Sequence, residues 1–486
     1  MAFKKSKLPS AQAGRFLSVR EAYETVRVRN TLSAYFLGGI AVLAVLGIGS
    51  AAFAQIANVK FSIPLPSLSF LPSVFTSSGS SDLPTGKFNV LITGMGGAAH
   101  EGGDLTDTVI LASLNAKTKT VSMLSVPRDL YVEYPTGGRG KINETYRRAY
   151  VHSNKDHEAA MKTLGEKVTE ITGERVDRTI NVDFQAFIRF VDVLGGLDVD
   201  VPEDLVDPEY PDSNWGYVTF RVKKGKQTFD GATALKYARS RHSTSDFDRS
   251  IRQQILVRAI KEKLLSLGTL GNPAKLQALY SAVSSNVQTD LSFKEMAGMA
   301  LFAKELPTKN ILSFNLNDSC FQSFALCDRG GFLYTPARDL FGGASVLLPD
   351  GAGPSDLSEY HDIQRFANLV FNYPEMFLDS TEINVVNSTK QSGIANKVAL
   401  FLKKFGFNVP DKESIGSTKD PYPKTAVLYP WDAQSKTGID PESATLRALA
   451  LFVFSDAEPV AANKYAKTPG AKIEIVLGPD QSLFFR

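Results

Sequence analysis

The chain has 486 residues, which is too long for one ordinary domain, so we expect roughly two or three folded units. Hydrophobic residues make up 43% and charged residues 22%, proportions that exclude bulk disorder and allow a sizeable core. The net charge of +3 indicates no partner by itself, and two Cys and five His without metal-type spacing argue against a zinc site.

In chain order, the first distinct feature is a basic tail followed by a long apolar stretch. Seven Lys and Arg side chains lie in residues 1–31, and LSAYFLGGIAVLAVLGIGSAAFA, residues 32–54, carries no charge. About 20 apolar residues cross a membrane, whereas the apolar region of a signal peptide is usually about 7 to 15 residues long. We therefore expect an uncleaved single-pass transmembrane helix at 32–54, a cytoplasmic tail, and the remaining domains outside the cell membrane. Small residues at 51–54 leave cleavage open as the alternative.

A Ser- and Pro-rich segment, residues 55–86, predicts a linker leading away from the bilayer. Strand and helix patterns then interleave over 87–330, which predicts an α/β/α sandwich. The expected strands are 87–92, 109–114, 120–126, 197–201 and 311–316. The expected helices are 158–172, 184–194, one from Gly231, one at 251–267, and much of 272–306. The apolar helix 184–194 is either buried core or the wall of a pocket for a long lipid chain.

The C-terminal part of the chain predicts a second, smaller unit. Residues 331–380 are predicted as a connecting segment, irregular up to 354 and helical at 363–372. Residues 381–486 predict a small α/β domain, with strands at 383–386, 425–429 and 472–477 and helices at 393–405 and 443–452. Near the end of the first unit, Cys320 and Cys327 could form a disulfide in an oxidising compartment.

The strongest chemical signal is a group of arginines in the segment YARSRHSTSDFDRSIRQQ. It contains Arg239, Arg241, Arg249 and Arg252, with Asp246 and Asp248 between them. Closely spaced guanidinium groups repel one another unless an anion bridges them, and their planar fork suits phosphate oxygens. The segment therefore predicts an anionic ligand, with a solvated basic helix face as the alternative interpretation.

A further arginine lies at the end of a predicted strand. Pro127 ends the apolar run 121–126 immediately before Arg128 and Asp129. Because ligands of α/β sheets bind at the carboxyl ends of strands, we expect Arg128 to meet a phosphate group.

The first two strands are joined by a glycine-rich loop, GMGGAAHEGGDLTD. A strand rather than a helix follows it, which excludes a dinucleotide-binding fingerprint, and GxSxG and P-loop motifs are absent from the sequence. Asp107 and Asp104, with Glu101 nearby, either hold Mg²⁺ against a pyrophosphate or only neutralise the arginines.

Three segments together, SVPRD, KINETY at 141–146, and YARSR followed by DFDRSIRQQ, resemble the LytR-CpsA-Psr family of cell-envelope proteins over roughly residues 87–316. The unit from about residue 381 is similar to the C-terminal domain often attached to LytR-type members. This resemblance implies a membrane-anchored transferase that moves a glycopolymer from a polyprenyl-pyrophosphate carrier onto peptidoglycan, with Mg²⁺ as the cofactor. A role with nucleic acid is excluded by the predicted topology, which places the arginines outside the membrane.

Carried over motif by motif, the resemblance also implies roles for individual residues. The arginines would bind the pyrophosphate, Asp129 would hold Arg128 in place, and Asp246 and Gln253 would orient these groups. The implied catalytic residues are Arg128, Asp129, Arg239, Arg241, Asp246 and Arg249. Substrate binding would also involve Lys141, Asn143 and Gln253, and the metal would be held by Asp107 and Asp104.

The sequence departs from the family pattern in the glycine-rich loop. Family members usually carry an Asp and an Arg in and just after the first glycine turn, and another Arg just before the position of Asp107. Here GMGG and Leu105 occupy those places. Asp104 or Glu101 is the expected substitute for the missing carboxylate.

The expected reaction is phosphoryl transfer to an acceptor sugar hydroxyl, with Asp246 or Asp129 as the base. Two alternatives keep the same arginine site. In one, water attacks and the protein is a polyprenyl-pyrophosphate phosphatase. In the other, the protein is a non-catalytic binding protein for anionic envelope lipids or glycans.

Overall fold

A computed structural model describes residues 86–96, 103–211, 216–240, 287–292, 306–316, 331–410, 415–418, 422–432, 437–452, 457–460 and 472–480, with single residues between 252 and 302. The predicted tail, membrane segment and linker, and both cysteines, lie outside these ranges. Within them, no helix has the length and apolar character needed to cross a membrane.

The described chain contains strands and helices in mixed order, which confirms the predicted mixed α/β class. The strands of the larger part are β1 (Lys87–Met95), β2 (Thr106–Asn115), β3 (Thr120–Val126), β4 (Tyr131–Glu133), β5 (Arg139–Lys141), β6 (Arg178–Asp183), β7 (Leu197–Val201), β8 (Leu205–Pro211), β9 (Tyr217–Val222), β10 (Gly225–Phe229), β11 (Val287–Thr289), β12 (Ile311–Asn315), β13 (Leu333–Tyr334) and β14 (Leu348–Pro349). Its helices are α1 (Thr145–His152), α2 (His157–Thr172), α3 (Phe184–Val193), α4 (Gly231–Arg239) and α5 (His361–Asn372). Short 3-10 turns occur at Ile142–Glu144, Thr308–Asn310, Arg338–Phe341 and Pro374–Phe377.

A six-stranded sheet in the order β11-β6-β1-β2-β3-β12 forms the centre of the larger part. Strand β1 runs parallel to β6, and β3 runs parallel to β12, whereas β2 is antiparallel to both β1 and β3. The carboxyl ends of β1, β3, β6 and β12 therefore lie at the same edge as the first residues of β2. We call this the functional edge of the sheet.

Side chains alternate along each strand, so apolar residues point to both faces of this sheet. Both faces are buried, each in an apolar cluster. Leu91, Leu111 and Leu124 face one side, where they share an apolar cluster with residues of α1, α2 and α5. Val90 and Met123 face the other side, in a cluster that also contains Leu291 and Met299.

Two of the expectations for this region are wrong in part. Residues 272–306 were expected to be largely helical; Glu295, Met299 and Phe302 are helical, but Val287–Thr289 form β11, which pairs antiparallel with β6. A strand of three residues is too short to show a period, and its pairing with β6 is a tertiary interaction. Residues 331–354 were expected to be irregular, but β13 and β14 form a short antiparallel pair there.

The smaller part contains a second sheet. Its elements are β15 (Glu382–Asn387), α6 (Ile394–Lys404), β16 (Ile415–Ser417), β17 (Ala426–Asp432), β18 (Thr437–Gly438), α7 (Ala444–Leu449), β19 (Ala457–Val460) and β20 (Lys472–Leu477). The strand order is β16-β15-β20-β17-β18, and β19 pairs with β17. The predicted strands and helices of this unit are confirmed.

A continuous apolar cluster joins the two sheets. Phe366 of α5 stacks on Phe332 with ring centroids 4.5 Å apart. Phe332 in turn lies 5.6 Å from Phe405, whose ring is 4.7 Å from that of Phe452. Segment 331–380 thus contributes side chains to the packing between the sheets, in addition to linking them along the chain.

Replacing Phe405 by Ala is expected to lower the free energy of unfolding by about 3–5 kcal/mol, because the ring is fully buried and leaves a cavity between the two sheets. Urea unfolding followed by circular dichroism measures this change. Leu340→Ala is the matched control, since Leu340 is 58% exposed and should change stability little. Equal midpoints for the two variants would contradict the packing described here.

Candidate active site

Four charged side chains of alternating sign lie in contact at the functional edge. The Nη1 atom of Arg128 donates to Oδ1 of Asp107 at 3.0 Å, and Nε of Arg128 is 3.6 Å from Oδ2 of Asp129. Lys141 Nζ donates to Oδ1 of Asp129 at 2.5 Å. The structure thus brings together Asp107, Arg128, Asp129 and Lys141 of the predicted site, including the expected contact between Asp129 and Arg128.

Strand register explains why these residues meet. Val109 of β2 pairs with Val126 of β3 in an antiparallel ladder. Asp107, two residues before Val109, therefore lies opposite Arg128, two residues after Val126. Pro127 ends the ladder, so Arg128 projects beyond the strand, where its side chain is 45% exposed.

The electrostatic setting keeps Arg128 charged. Partial burial acts to lower the pKa of its guanidinium, but the adjacent carboxylates of Asp107 and Asp129 outweigh this effect and raise the pKa. The group is therefore a permanent cation that can pair with phosphate oxygens from its exposed side.

The KINETY segment is held against the ends of β2 and β3 by backbone contacts. The amide of Asn143 donates to the carbonyl of Arg128 at 3.4 Å, and Thr106 Oγ1 donates to the carbonyl of Asn143 at 3.2 Å. The Asn143 side chain is buried, and its Oδ1 atom has no hydrogen-bond partner among the residues that the structure describes. An unpaired buried acceptor costs about 1–3 kcal/mol, so a ligand that donates a hydrogen bond here would be stabilised.

The two predicted metal ligands each face an arginine. Asp107 contacts Arg128, and Oδ2 of Asp104 is 3.3 Å from Nε of Arg147, a residue of α1. In the described part of the chain, no group of three or more His, Cys, Asp or Glu side chains is arranged to hold a metal ion. Mg²⁺ often takes only one or two carboxylates, with phosphates and waters completing its shell, so the oxygen donors of these two residues suit it.

Arg239 lies at the same edge of the sheet as Arg128. Its Cζ atom is 4.6 Å from the ring centroid of Phe184, which directly follows Asp183 at the end of β6. Asp183 pairs with Met95 of β1, and Met95 pairs with Thr106 of β2. Three strand spacings, or about 14 Å, separate the end of β6 from the end of β3. Arg239 lies beside the end of β6 and Arg128 follows β3, so the functional edge between them has an arginine on each side.

Arg252 is one of the four clustered arginines that were expected to meet an anion, and two of its contacts are with backbone carbonyls. It is 5% exposed, its Nε donates to the carbonyl of Tyr237 at 3.2 Å, and its Nη2 donates to that of Ser240 at 2.6 Å. These carbonyls belong to the end of α4, where helix acceptors lack partners within the helix. Arg252 therefore stabilises the helix end. Four other predicted site residues, Arg241, Asp246, Arg249 and Gln253, lie outside the described residues.

The apolar helix α3 is amphipathic and not fully buried. Phe187, Phe190 and Val191 are buried in a cluster with residues of α4, β7 and β10. Three other apolar residues of the helix are only partly buried, namely Phe184, Ile188 and Val193. The expectation of complete burial is therefore wrong at these three positions, of which Phe184 contacts Arg239.

A groove that the sequence did not predict lies beside the charged cluster. Its lining residues are Thr136, Glu144, Arg147, Arg148, Val151 and His152. The available signal was the pair of arginines in TYRRAY, directly after KINE. Adjacent arginines at the start of a helix usually form a solvated face, so the sequence alone did not single them out.

The chain matches the sequence models of two known protein families. The sequence model of the LytR_cpsA_psr family matches residues 71–327, and that of the LytR cell envelope-related transcriptional attenuator matches residues 380–480. The cell wall biosynthesis protein LcpA of Corynebacterium glutamicum is 26% identical over 343 residues, covering 65% of this chain and 61% of the relative. The polyisoprenyl-teichoic acid–peptidoglycan teichoic acid transferase TagV of Bacillus subtilis is 32% identical over 226 residues, covering 45% of this chain and 53% of the relative.

These matches span less than two thirds of the length of both relatives. Among solved structures, the crystal structure of B. subtilis TagV is similar with a TM-score of 0.41 and 24% identity, covering 60% of this chain and 99% of that one. Because the first family match includes more than half of the residues, the chain belongs to the LytR_cpsA_psr family.

Proposed function

We propose that this protein is a membrane-anchored phosphotransferase that attaches a glycopolymer from a polyprenyl-pyrophosphate carrier to peptidoglycan. The observation that carries the proposal is the cation of Arg128, held between Asp107 and Asp129 at the functional edge, with Arg239 further along it. Relatives named as polyisoprenyl-teichoic acid–peptidoglycan teichoic acid transferases, 32% and 31% identical, support the choice of donor and acceptor.

In this proposal the arginines bind the pyrophosphate of the donor. Arg128 and Arg239 approach it from two strand ends, and Arg241, Arg249 and Gln253 complete the site. Guanidinium groups spread the charge that develops on the phosphate oxygens during transfer. An acceptor sugar hydroxyl attacks the phosphorus nearer the glycopolymer, the bond from that phosphorus to the bridging oxygen breaks, and polyprenyl phosphate leaves with the bonding electrons.

The proton of the attacking hydroxyl must pass to a base. Asp246 and Asp129 are the two candidates, and the contacts of Asp129 with Lys141 and Arg128 favour a positioning role for Asp129. Asn143, whose buried Oδ1 lacks a partner, is suited to accept a hydrogen bond from a ligand hydroxyl.

Mg²⁺ is the cofactor that we propose for this site. Asp107 and Asp104 would hold it, and it would supply positive charge next to the pyrophosphate oxygens. Both carboxylates pair with arginines in this structure, so Mg²⁺ would have to share or displace these ion pairs when it binds.

We also propose the location of the reaction. Residues 1–31 lie in the cytoplasm, residues 32–54 cross the membrane, and the domains described above lie outside it. The polyprenyl chain of the donor would then stay in the bilayer while its pyrophosphate reaches the functional edge.

The test is incubation of the full chain with a lipid-linked glycopolymer and Mg²⁺, with and without peptidoglycan. We expect polymer bound to peptidoglycan and release of polyprenyl phosphate only when the acceptor is present. Release of polyprenyl phosphate at the same rate without acceptor would instead show a phosphatase. Binding of the donor without turnover would show a non-catalytic binding protein.

A further inference from the structure

We propose that the groove lined by Thr136, Glu144, Arg147, Arg148, Val151 and His152 binds an acidic stretch of the glycopolymer, through its phosphodiester or carboxylate groups. This inference rests on the proposed function, because it assigns the groove to the same substrate. The groove runs along α1, between that helix and the turn of the β4–β5 hairpin.

Arg148 is fixed in position from three sides. Its Cζ atom lies 4.4 Å from the ring centroid of Tyr134, and its Nε is 3.8 Å from Oε2 of Glu144. The third side is the hairpin turn at Gly138. Glycine has no β-carbon, but one added at this position would lie only 3.9 Å from Nη1 of Arg148, so the turn is close to the guanidinium. A guanidinium held in this way loses little conformational freedom when an anion binds.

Tyr134, whose ring contacts the guanidinium of Arg148, is held in place by contacts of its own. Tyr134 is buried, and its single hydroxyl proton lies between two acceptors, Oε2 of Glu144 at 3.2 Å and the carbonyl oxygen of Lys141 at 3.1 Å from the hydroxyl oxygen. Gly140 is required here, because a β-carbon would clash with that hydroxyl. Burial, with a further contribution from Glu144, raises the pKa of Tyr134, so the hydroxyl keeps its proton and remains a donor.

Arg147 connects the groove to the candidate active site. Neighbouring residues on a helix point in different directions, so Arg147 contacts Asp104 while Arg148 contacts the hairpin. The side chains of Arg147 and Arg148 are 53% and 46% exposed, and both recorded ion pairs use the Nε atom. Helix α1 has eight residues and is about 12 Å long, so a chain leaving the proposed metal ligand could follow it.

The charge of the lining favours an acidic ligand. The lining contains two arginines and one acidic residue, Glu144. Each arginine uses its Nε atom for an ion pair, Arg147 with Asp104 and Arg148 with Glu144, and their side chains remain 53% and 46% exposed. Guanidinium groups pair more strongly with phosphate and carboxylate oxygens than with the hydroxyls of a neutral sugar. The chain that begins at the pyrophosphate is the glycopolymer, which makes it the occupant that we propose.

The first experiment measures binding of a lipid-free glycerol-phosphate oligomer to the full chain in detergent, by calorimetry at low and high salt. Arg148→Gln is expected to weaken this binding about fivefold and to reduce its salt dependence. The affinity of Arg148→Lys should fall between those of the parent protein and Arg148→Gln. Arg175→Gln is the matched control, because Arg175 is an arginine that is 84% exposed and lies far from the groove. Its backbone carbonyl accepts a hydrogen bond from Asn89, near the start of β1 and so at the sheet edge opposite the functional edge.

Three results would overturn the inference. Arg148→Gln could bind the phosphate oligomer as tightly as the parent. A neutral N-acetylglucosamine oligomer could bind equally well, or a peptidoglycan fragment could bind the groove in preference to the phosphate oligomer. Thermal unfolding of each variant separates a loss of binding from a loss of fold.

A transfer assay keeps this inference distinct from the proposed function. With a long acidic donor, Arg148→Gln should raise KM about fivefold, whereas kcat with a donor bearing only its first sugars should not change. If transfer itself fails in the parent protein, the proposed function is wrong, and the binding experiment still decides whether the groove takes an acidic polymer.

Discussion

Replacing Arg128 by Ala is expected to slow glycopolymer transfer by about a hundredfold or more. The guanidinium lies between Asp107 and Asp129, so its loss leaves two carboxylates facing the phosphate oxygens with only Lys141 to offset them. Removing one charge-assisted contact to a phosphate costs about 3 kcal/mol, and each 1.4 kcal/mol is about a tenfold change in rate.

Single-turnover transfer from a lipid-linked donor to peptidoglycan measures this effect. Arg175→Ala serves as the control, since it also removes an exposed arginine that pairs with an aspartate, here Asp177. Arg128→Lys should be intermediate, because an ammonium group retains the charge but not the planar fork. A normal rate for Arg128→Ala, in a protein with unchanged thermal stability, would remove the basis of the proposed function.

The position of Arg128 could be predicted from the sequence because two strong local signals coincide. The apolar run of β3 predicts a buried strand, and Pro127 fixes where it ends. The family resemblance linked Arg128 to the KINETY segment, and the structure shows why: backbone hydrogen bonds join Asn143 to the carbonyl of Arg128 and to Thr106.

Other features depend on contacts between residues far apart in sequence. Arg252 looks like its neighbours in the arginine segment, and only the fold shows that it is buried against the carbonyls of Tyr237 and Ser240. The three residues of β11 are too few for a periodic signal, and they become a strand by pairing with β6.

The groove was missed for a related reason. Arg147 and Arg148 resemble an ordinary solvated helix face, and the ring that supports Arg148 comes from Tyr134, on the preceding hairpin. In the same way, the sequence of segment 331–380 suggested a connection, but the aromatic contacts of Phe332 and Phe366 show that it packs between the sheets.

Asp107→Asn is expected to reduce transfer about a hundredfold and to raise the Mg²⁺ concentration needed for half-maximal rate. Asp107 has two possible roles, as a ligand of the proposed metal and as the partner of Arg128. An amide keeps the shape and still accepts a hydrogen bond from Arg128, but it lacks the charge that binds a divalent cation. The substitution therefore separates the two roles.

Calorimetric titration of Mg²⁺ into the full chain with a non-transferable pyrophosphate present measures metal binding directly, and the rate as a function of Mg²⁺ measures its effect on transfer. Asp104→Asn should weaken Mg²⁺ binding as well, and Asp177→Asn, which changes a carboxylate paired with Arg175, should not. If Asp107→Asn slows transfer without altering the Mg²⁺ titration, Asp107 is not a metal ligand, and the loss comes from its negative charge beside Arg128, which the neutral amide does not replace. If Asp104→Asn also leaves the Mg²⁺ titration unchanged, a metal-independent pyrophosphate site would be the better description of the functional edge.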